Sequence, residues 1–473
     1  MRGRPRCVVV GGGVAGLTAA RALAGDFDVT VLEGAPEAGG KLRSAEVAGV
    51  TVDVGAEAML HRRPEGVALA TELGLPVVHP TDATSRVWSR GALRPLPRSL
   101  MGVPLDLDQL AASGLLSEEG LSRVRSESSL PPTPLDADVT VGDLVAARLG
   151  DEVVDRLVEP LLGGVYAGRS REISARAAVP QLVALAERGS LVEQGAALPR
   201  VDGPVFAGIE GGLHRLVTAL ATSGLFTVRC GATVCELERR ESGFRLTVGS
   251  TRDAEHLYFD AVVLATPAVP TAWLLRAVAP RAADELAGID SASVAVVTLA
   301  FRPGDHVVSR RLPAQPHQPA GTQPAGTSGF LVPPVEGRSI KASTYSFAKW
   351  DWVRAAGAGA DVVILRTSIG RHREEASLQA SDGELVARSQ ADLAEIAGLR
   401  AAPVDSHVQR WGGALPQYAL GHLDRVARIR ADVAVVPGLA VCGASYDGVG
   451  IPAVIASAQA AAAQVRTAQW LHE

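Results

Sequence analysis

The stretch VVVGGGVAGLTAARAL, residues 8–23, runs from an unbroken β-branched segment through three glycines into an alanine-rich one. Cys7–Val10 show no polar alternation, the pattern of a parallel strand covered on both faces. Gly11, Gly13 and Gly16 fall in the spacing G-x-G-x-x-G. Gly11 permits a tight turn, Gly13 lets a pyrophosphate approach the main chain, and Gly16 lets the next helix lie close on the strand. That helix, expected over Val14–Leu23, turns the free N–H groups of its first turn, Val14 and Ala15 included, toward the same point, where its dipole also favours phosphate. A second strand, DVTVLE, ends at Glu33. An acid about twenty residues past the glycines grips ribose hydroxyls and disfavours a 2′-phosphate. The stretch predicts an α/β dinucleotide-binding unit and argues against NADP.

The segment after Glu33 narrows the choice of dinucleotide. Further βα units would suit NAD. Instead GAPEAGGKLRS (34–44) supplies Gly34, a second glycine pair, Gly39 and Gly40, and two cations, Lys41 and Arg43. Then AEVAGVTVDVGAEAML alternates like a hairpin turning at Ala48-Gly49. A second glycine loop with cations suits a longer cofactor that continues beneath the first turn. At the other end, LAVCGASYDGVGIPAVIASAQAAAAQV (439–465) reads as a short strand, a glycine loop and a long small-residue helix.

Composition limits the rest. The chain's 473 residues exceed one compact core, so two or three domains are expected. The net charge of -5 offers no field for nucleic acid. Lys41, Lys341 and Lys349 are the only lysines. Four scattered cysteines, Cys7, Cys230, Cys235 and Cys442, form no CxxC and no metal-ligand spacing, so no metal is expected and a reducing compartment fits. MRGRPR at the start leads into a strand rather than a signal-peptide core, and no run of about twenty apolar residues appears, so a cytoplasmic protein without a spanning helix is expected.

The pattern E-x5-G-G-K-x-R after the glycine turn resembles the flavoprotein superfamily that includes the amine oxidases. Within it, VDVGAEAMLHRRPEGVALATELGL (52–75), GALRPLP (91–97), VEPLLGGVYAGRSREISARAAVP (158–180), FLVPP (330–334), LPQYALGHLDRV (415–426) and GASYDGVGIP (443–452) resemble, in order, the oxygen-dependent protoporphyrinogen and coproporphyrinogen oxidases of haem synthesis. The resemblance implies FAD, and a discontinuous Rossmann-like FAD domain over 1–80, 205–280 and 428–473. It also implies a helical domain over 95–204 and a mixed-sheet substrate domain over 81–94 and 281–427. Gly55, Ala56 and Glu57 after the hairpin, Val234 at the adenine, and Gly443, Val449, Gly450 and Ile451 at the flavin end complete the cofactor set it implies.

For substrate, the resemblance implies Arg86 as a propionate ligand, Lys349 as a second cation, Leu331 and Tyr166 against the macrocycle, and Gly164 with its carbonyl toward the reacting methylene. Each has a plain alternative: a tight turn at Gly164, a solvated charge at Lys349, ordinary core at Leu331 and Tyr166. His61 and His422 read as structural. The implied reaction removes six electrons from a porphyrinogen, with oxygen as acceptor and hydrogen peroxide as by-product. Coproporphyrinogen III is favoured over protoporphyrinogen IX as substrate. Amine or carotenoid oxidation, and a flavin-binding porphyrin scaffold without turnover, are the rivals. The implied partners are the porphyrinogen, oxygen and, transiently, the next haem-pathway enzyme; a peripheral membrane contact through the helical segment is left open. Residues 312–328, LPAQPHQPAGTQPAGTS, read as a flexible insertion without chemistry.

Overall fold

The computed structural model describes residues 3–199, 203–250, 252–304 and 326–467. The opening stretch forms a strand, Arg6–Val10, and a helix, Val14–Leu23. Cys7 and Val9 pack into one apolar cluster and Val8 and Val10 into another, so neither face of this strand tolerates a polar side chain. Among the described residues it is the middle of a five-stranded sheet ordered Thr227–Arg229, Asp28–Leu32, Arg6–Val10, Ala261–Leu264, Leu439–Val441. All four pairings are parallel.

Helices Val14–Leu23, His214–Ala221 and Ile451–Arg466 cover one face. Their alanines let the backbones lie close together and to the sheet. Helices Ala268–Leu275, Pro280–Ala287 and His422–Ala434 cover the other, with a three-stranded antiparallel sheet, Val234–Arg239, Phe244–Val248 and Glu255–Phe259. Ala282, Leu286 and Val426 share a cluster with Val8. The boundaries expected at 281 and 428 therefore cut through two helices that pack on the dinucleotide sheet. The hairpin, Ser44–Val47 and Val50–Asp53, turns at Ala48 and Gly49, both with positive φ (49° and 77°), as a tight two-residue turn demands.

The second sheet has seven strands, ordered Asp405–Pro416, Ser291–Phe301, Val363–Ile369, Ile340–Thr344, Thr327–Leu331, Thr84–Ser89, Ala92–Pro95. It is mixed: Thr327–Leu331 runs parallel to Thr84–Ser89, and the other pairings are antiparallel. Of the insertion expected over 312–328, residues 312–325 lie outside the described residues. Thr327 and Ser328 correct that reading, since both belong to a strand and the Thr327 hydroxyl donates to the Thr84 carbonyl at 3.0 Å.

Between Leu107 and Ala196, short helices close a core of their own through Leu110, Leu144, Leu157, Leu162 and Leu182. Its one buried acid, Glu127, accepts hydrogen bonds from Arg148, the Ser190 hydroxyl and the Leu191 N–H, so the charge is compensated. No helix of the described residues is long and apolar enough to cross a membrane.

Candidate active site

A cavity of about 730 Å³ runs from the first glycine turn to the second sheet. That volume lies in the range of sites that enclose a small-molecule ligand. Two helices end on it. Val14–Leu23 begins at Gly13 and Ile451–Arg466 at Gly450, and neither has a side-chain cap or an acid in its first turn. Both therefore leave N–H donors and a positive dipole end for an anionic or polar ligand.

The glycines between them are required by close approach. A Cβ on Gly40 would lie 3.1 Å from the Gly13 Cα, and the Gly39 N–H donates to the Gly12 carbonyl at 2.8 Å, so the second loop closes directly under the first. A Cβ on Gly55 would lie 2.0 Å from the Lys41 carbonyl oxygen. Glu33 lines the cavity and takes the Gly12 and Ala35 N–H groups on its two oxygens, at 2.6 and 2.8 Å. Glu33→Gln would turn an NH₂ toward one of these donors, and FAD affinity should fall about tenfold in a fluorescence-quenching titration.

Four charged side chains line the wall: Glu33, Lys41, Glu57 and Arg366. Lys41 Nζ donates to the Ala414 carbonyl, and burial pulls its amine down to about 8. Burial alone would raise the Glu57 carboxyl. Lys349 at 2.6 Å and Arg366 at 3.3 Å outweigh that and hold it down at about 2. Arg366 also donates to the carbonyls of Asp53 and Gly55, which locks the hairpin's exit to the second sheet.

Gly11, Gly13, Val14, Ala15, Glu33, Gly34, Gly40, Lys41, Gly55, Ala56, Glu57 and Val234 line this cavity, as do Gly443, Val449, Gly450 and Ile451. Gly16, Gly39 and Arg43 are not on its wall. Gly16 packs the helix on Gly11, Gly39 bonds Gly12, and the Arg43 carbonyl accepts from the Val54 N–H.

The expected substrate set is mostly elsewhere. Gly164 is on the wall, beside Val165, but in the last turn of a helix, Glu159–Tyr166, rather than in a tight turn. Tyr166 is buried in the helical core with its ring 5.5 Å from that of Tyr418. Lys349 is bound to Glu57, so it is not a free cation. Arg86 is buried on its strand, its Nε without a partner, and neither it nor Leu331 reaches this cavity. His61 contacts His79 at 3.2 Å. His422 stacks on Tyr418, and burial pulls its pKa down to about 4, so it is a neutral structural ring. Among the described residues no cluster could hold a metal.

Arg366, Trp411, Ala414 and Leu415 line the cavity without having been legible in the sequence. The last three sit where the edge strand Asp405–Pro416 slips register against Ser291–Phe301, between Ala292 and Val294. The extra residues bow the strand, and such irregularities re-aim side chains.

Two uncapped helix starts, an acid beside the first, and a cradle of closely approaching glycines suit an extended dinucleotide. The chain belongs to the flavin-containing amine oxidoreductase family, whose sequence pattern it matches over residues 14–466. It is a flavin-dependent oxidoreductase, and FAD is the cofactor. Its relatives include the coproporphyrinogen III oxidase of Mycobacterium bovis, 40% identical over 98% of both chains. The protoporphyrinogen oxidase of Macaca fascicularis is 30% identical over 97% of this chain and 98% of its own. A crystal structure from an Exiguobacterium species, assigned provisionally as a protoporphyrinogen oxidase, superposes with a TM-score of 0.82 at 30% identity, covering 98% of this chain and 99% of that one.

Proposed function

We propose that this protein oxidises coproporphyrinogen III to coproporphyrin III in the haem pathway, acting in the cytoplasm and passing its product to the next enzyme. The similarity to the mycobacterial oxidase along nearly the whole chain carries this reading. The flavin, when bound, accepts two electrons in each of three oxidations, and oxygen takes them on as hydrogen peroxide. The balance is one porphyrinogen and three oxygen molecules giving one porphyrin and three peroxides.

The protein's part is placement and exclusion of water. Val165, Val294, Val296 and Leu415 add apolar wall to the cavity, suited to a flat, greasy macrocycle. Gly164 adds no side chain there, which leaves room for a ring face close to the main chain. Aromatisation drives the overall oxidation, so no strong general base is demanded, and the titratable groups of the wall, Glu33, Lys41 and Glu57, already have protein partners.

The test is a side-by-side assay of FAD-loaded protein with coproporphyrinogen III and protoporphyrinogen IX, read by porphyrin fluorescence and peroxide yield. Coproporphyrin should form faster, with three peroxides per porphyrin. Failure of either porphyrinogen to bleach the flavin anaerobically, with an amine or carotenoid bleaching it instead, would overturn the proposal.

A further inference from the structure

Behind the helix that bears Gly164 lies a smaller cavity of about 160 Å³, walled in part by Glu159, Gly163, Arg169, Val332, Lys341 and Arg371. Gly163 faces this cavity and Gly164 the flavin cavity. A Cβ built on either would meet nothing within 4 Å, so at these two positions the helix adds no side chain to either space. Lys341 arrives here through a strand irregularity. The ladder between Ile340–Thr344 and Val363–Ile369 slips between Ile340 and Ala342, leaving Lys341 as the extra residue.

Lys341 is 8% exposed, and its Nζ donates at 3.4 Å to the Gly163 carbonyl. Among the described residues no carboxylate lies within ion-pair distance of it. The nearby acids have other partners: Glu374 pairs with Arg169 at 3.3 Å and lies 3.9 Å from Arg371, and Glu159 accepts from the Ser170 N–H and hydroxyl. Asp155 completes the charged lining, and burial pushes its carboxyl up. A buried ammonium without an anion is unfavourable. Burial, with the neighbouring Arg371 charge, pulls Lys341 down to about 7.

Given the porphyrinogen substrate proposed for the main site, we infer that this cavity receives a carboxylate arm of the substrate, with Lys341 as its counter-charge. A macrocycle held against Gly164 can send a propionate past the two glycines, and a carboxylate there supplies the anion that Lys341 lacks. Lys341 is then a specificity-determining residue for substrates with more carboxylates.

The experiment titrates FAD-loaded wild type, K341M and K341R with coproporphyrin III and with its tetramethyl ester, following porphyrin absorbance. K341M should raise the Kd for the acid about tenfold. K341R should restore it to within about threefold, and the ester should bind all three proteins alike. In wild type the acid should bind more weakly as pH rises from 7 to 9, as Lys341 loses its proton, and K341M should show a shallower slope. Asp155 and Glu159, both pushed up by burial, also face this cavity with Arg169, Arg371 and Glu374, and any ionisation of those two acids would weaken binding in wild type and K341M alike. A slope as steep in K341M as in wild type, an unchanged Kd, or an equal loss of the ester would each overturn the assignment. Porphyrinogen oxidation by the wild type is read separately, so failure of the overall function remains distinguishable from failure of this subsite.

Discussion

Gly16→Ala should yield protein that purifies colourless and takes up less than about a tenth of the normal flavin on reconstitution. A Cβ at this position would lie 1.8 Å from the Gly11 carbonyl oxygen and 3.0 Å from its carbon. Both are main-chain atoms of the turn, and no flexible side chain can give way. The helix Val14–Leu23 must then move off the strand by more than an ångström. Overpacking of this kind costs about 1–3 kcal/mol or more, and here the strain falls on the element that aims N–H donors at the cofactor. Gly25→Ala is the internal control: a Cβ there meets nothing within 4 Å, so flavin content should stay at wild-type level. Absorbance of purified protein, ratioed to its mass, decides the matter, and full flavin in Gly16→Ala would contradict the assigned packing.

The second large effect is expected at Glu57. This carboxylate bridges Lys349 and Arg366, with all three side chains between 13% and 20% exposed. Glu57→Gln leaves two buried cations facing each other, and breaking a buried pair in this way costs about 3–5 kcal/mol. For a chain of this length the melting temperature should drop by about 4 °C. The pH dependence gives an independent signature. The carboxyl sits at about 2 in the fold against an ordinary value of 4.5. Its contribution is complete above 4.5 and is lost as pH falls from there toward 2, amounting to about 3 kcal/mol. Urea unfolding between pH 5 and 3 should therefore be steeper in wild type than in Glu57→Gln. Equal slopes would mean that the bridge contributes nothing.

The two ends of the dinucleotide site were legible because their information is local. A glycine that must adopt a tight turn, or admit a neighbouring main chain, is visible one residue at a time, as at Gly11, Gly13, Gly40 and Gly450. The middle of the cavity was not legible, because it is assembled by register. Trp411 and Ala414 reach the wall only through a slip in an edge strand, and Arg366 only through its place in a seven-stranded sheet. Lys349 looked like a free cation, since nothing near it in sequence reveals a partner 292 positions earlier. Tyr166 and Arg86 follow the same logic: their family resemblance marks the segment, while the face each residue takes depends on packing against distant helices and strands.

The order of strands in the first sheet has a further effect. The central strand, complete once residue 10 is made, pairs with Ala261–Leu264, which in turn pairs with Leu439–Val441. The second uncapped helix begins only at Ile451. During synthesis at about 5–20 residues per second, the nascent chain therefore spends tens of seconds with its nucleotide cradle half built. Cofactor capture must await the synthesis of this helix, and until Ala261–Leu264 is made one edge of the central strand stays open, exposed to chaperones and to aggregation. Expression at lower temperature with riboflavin supplied late in growth suits a protein assembled in that order.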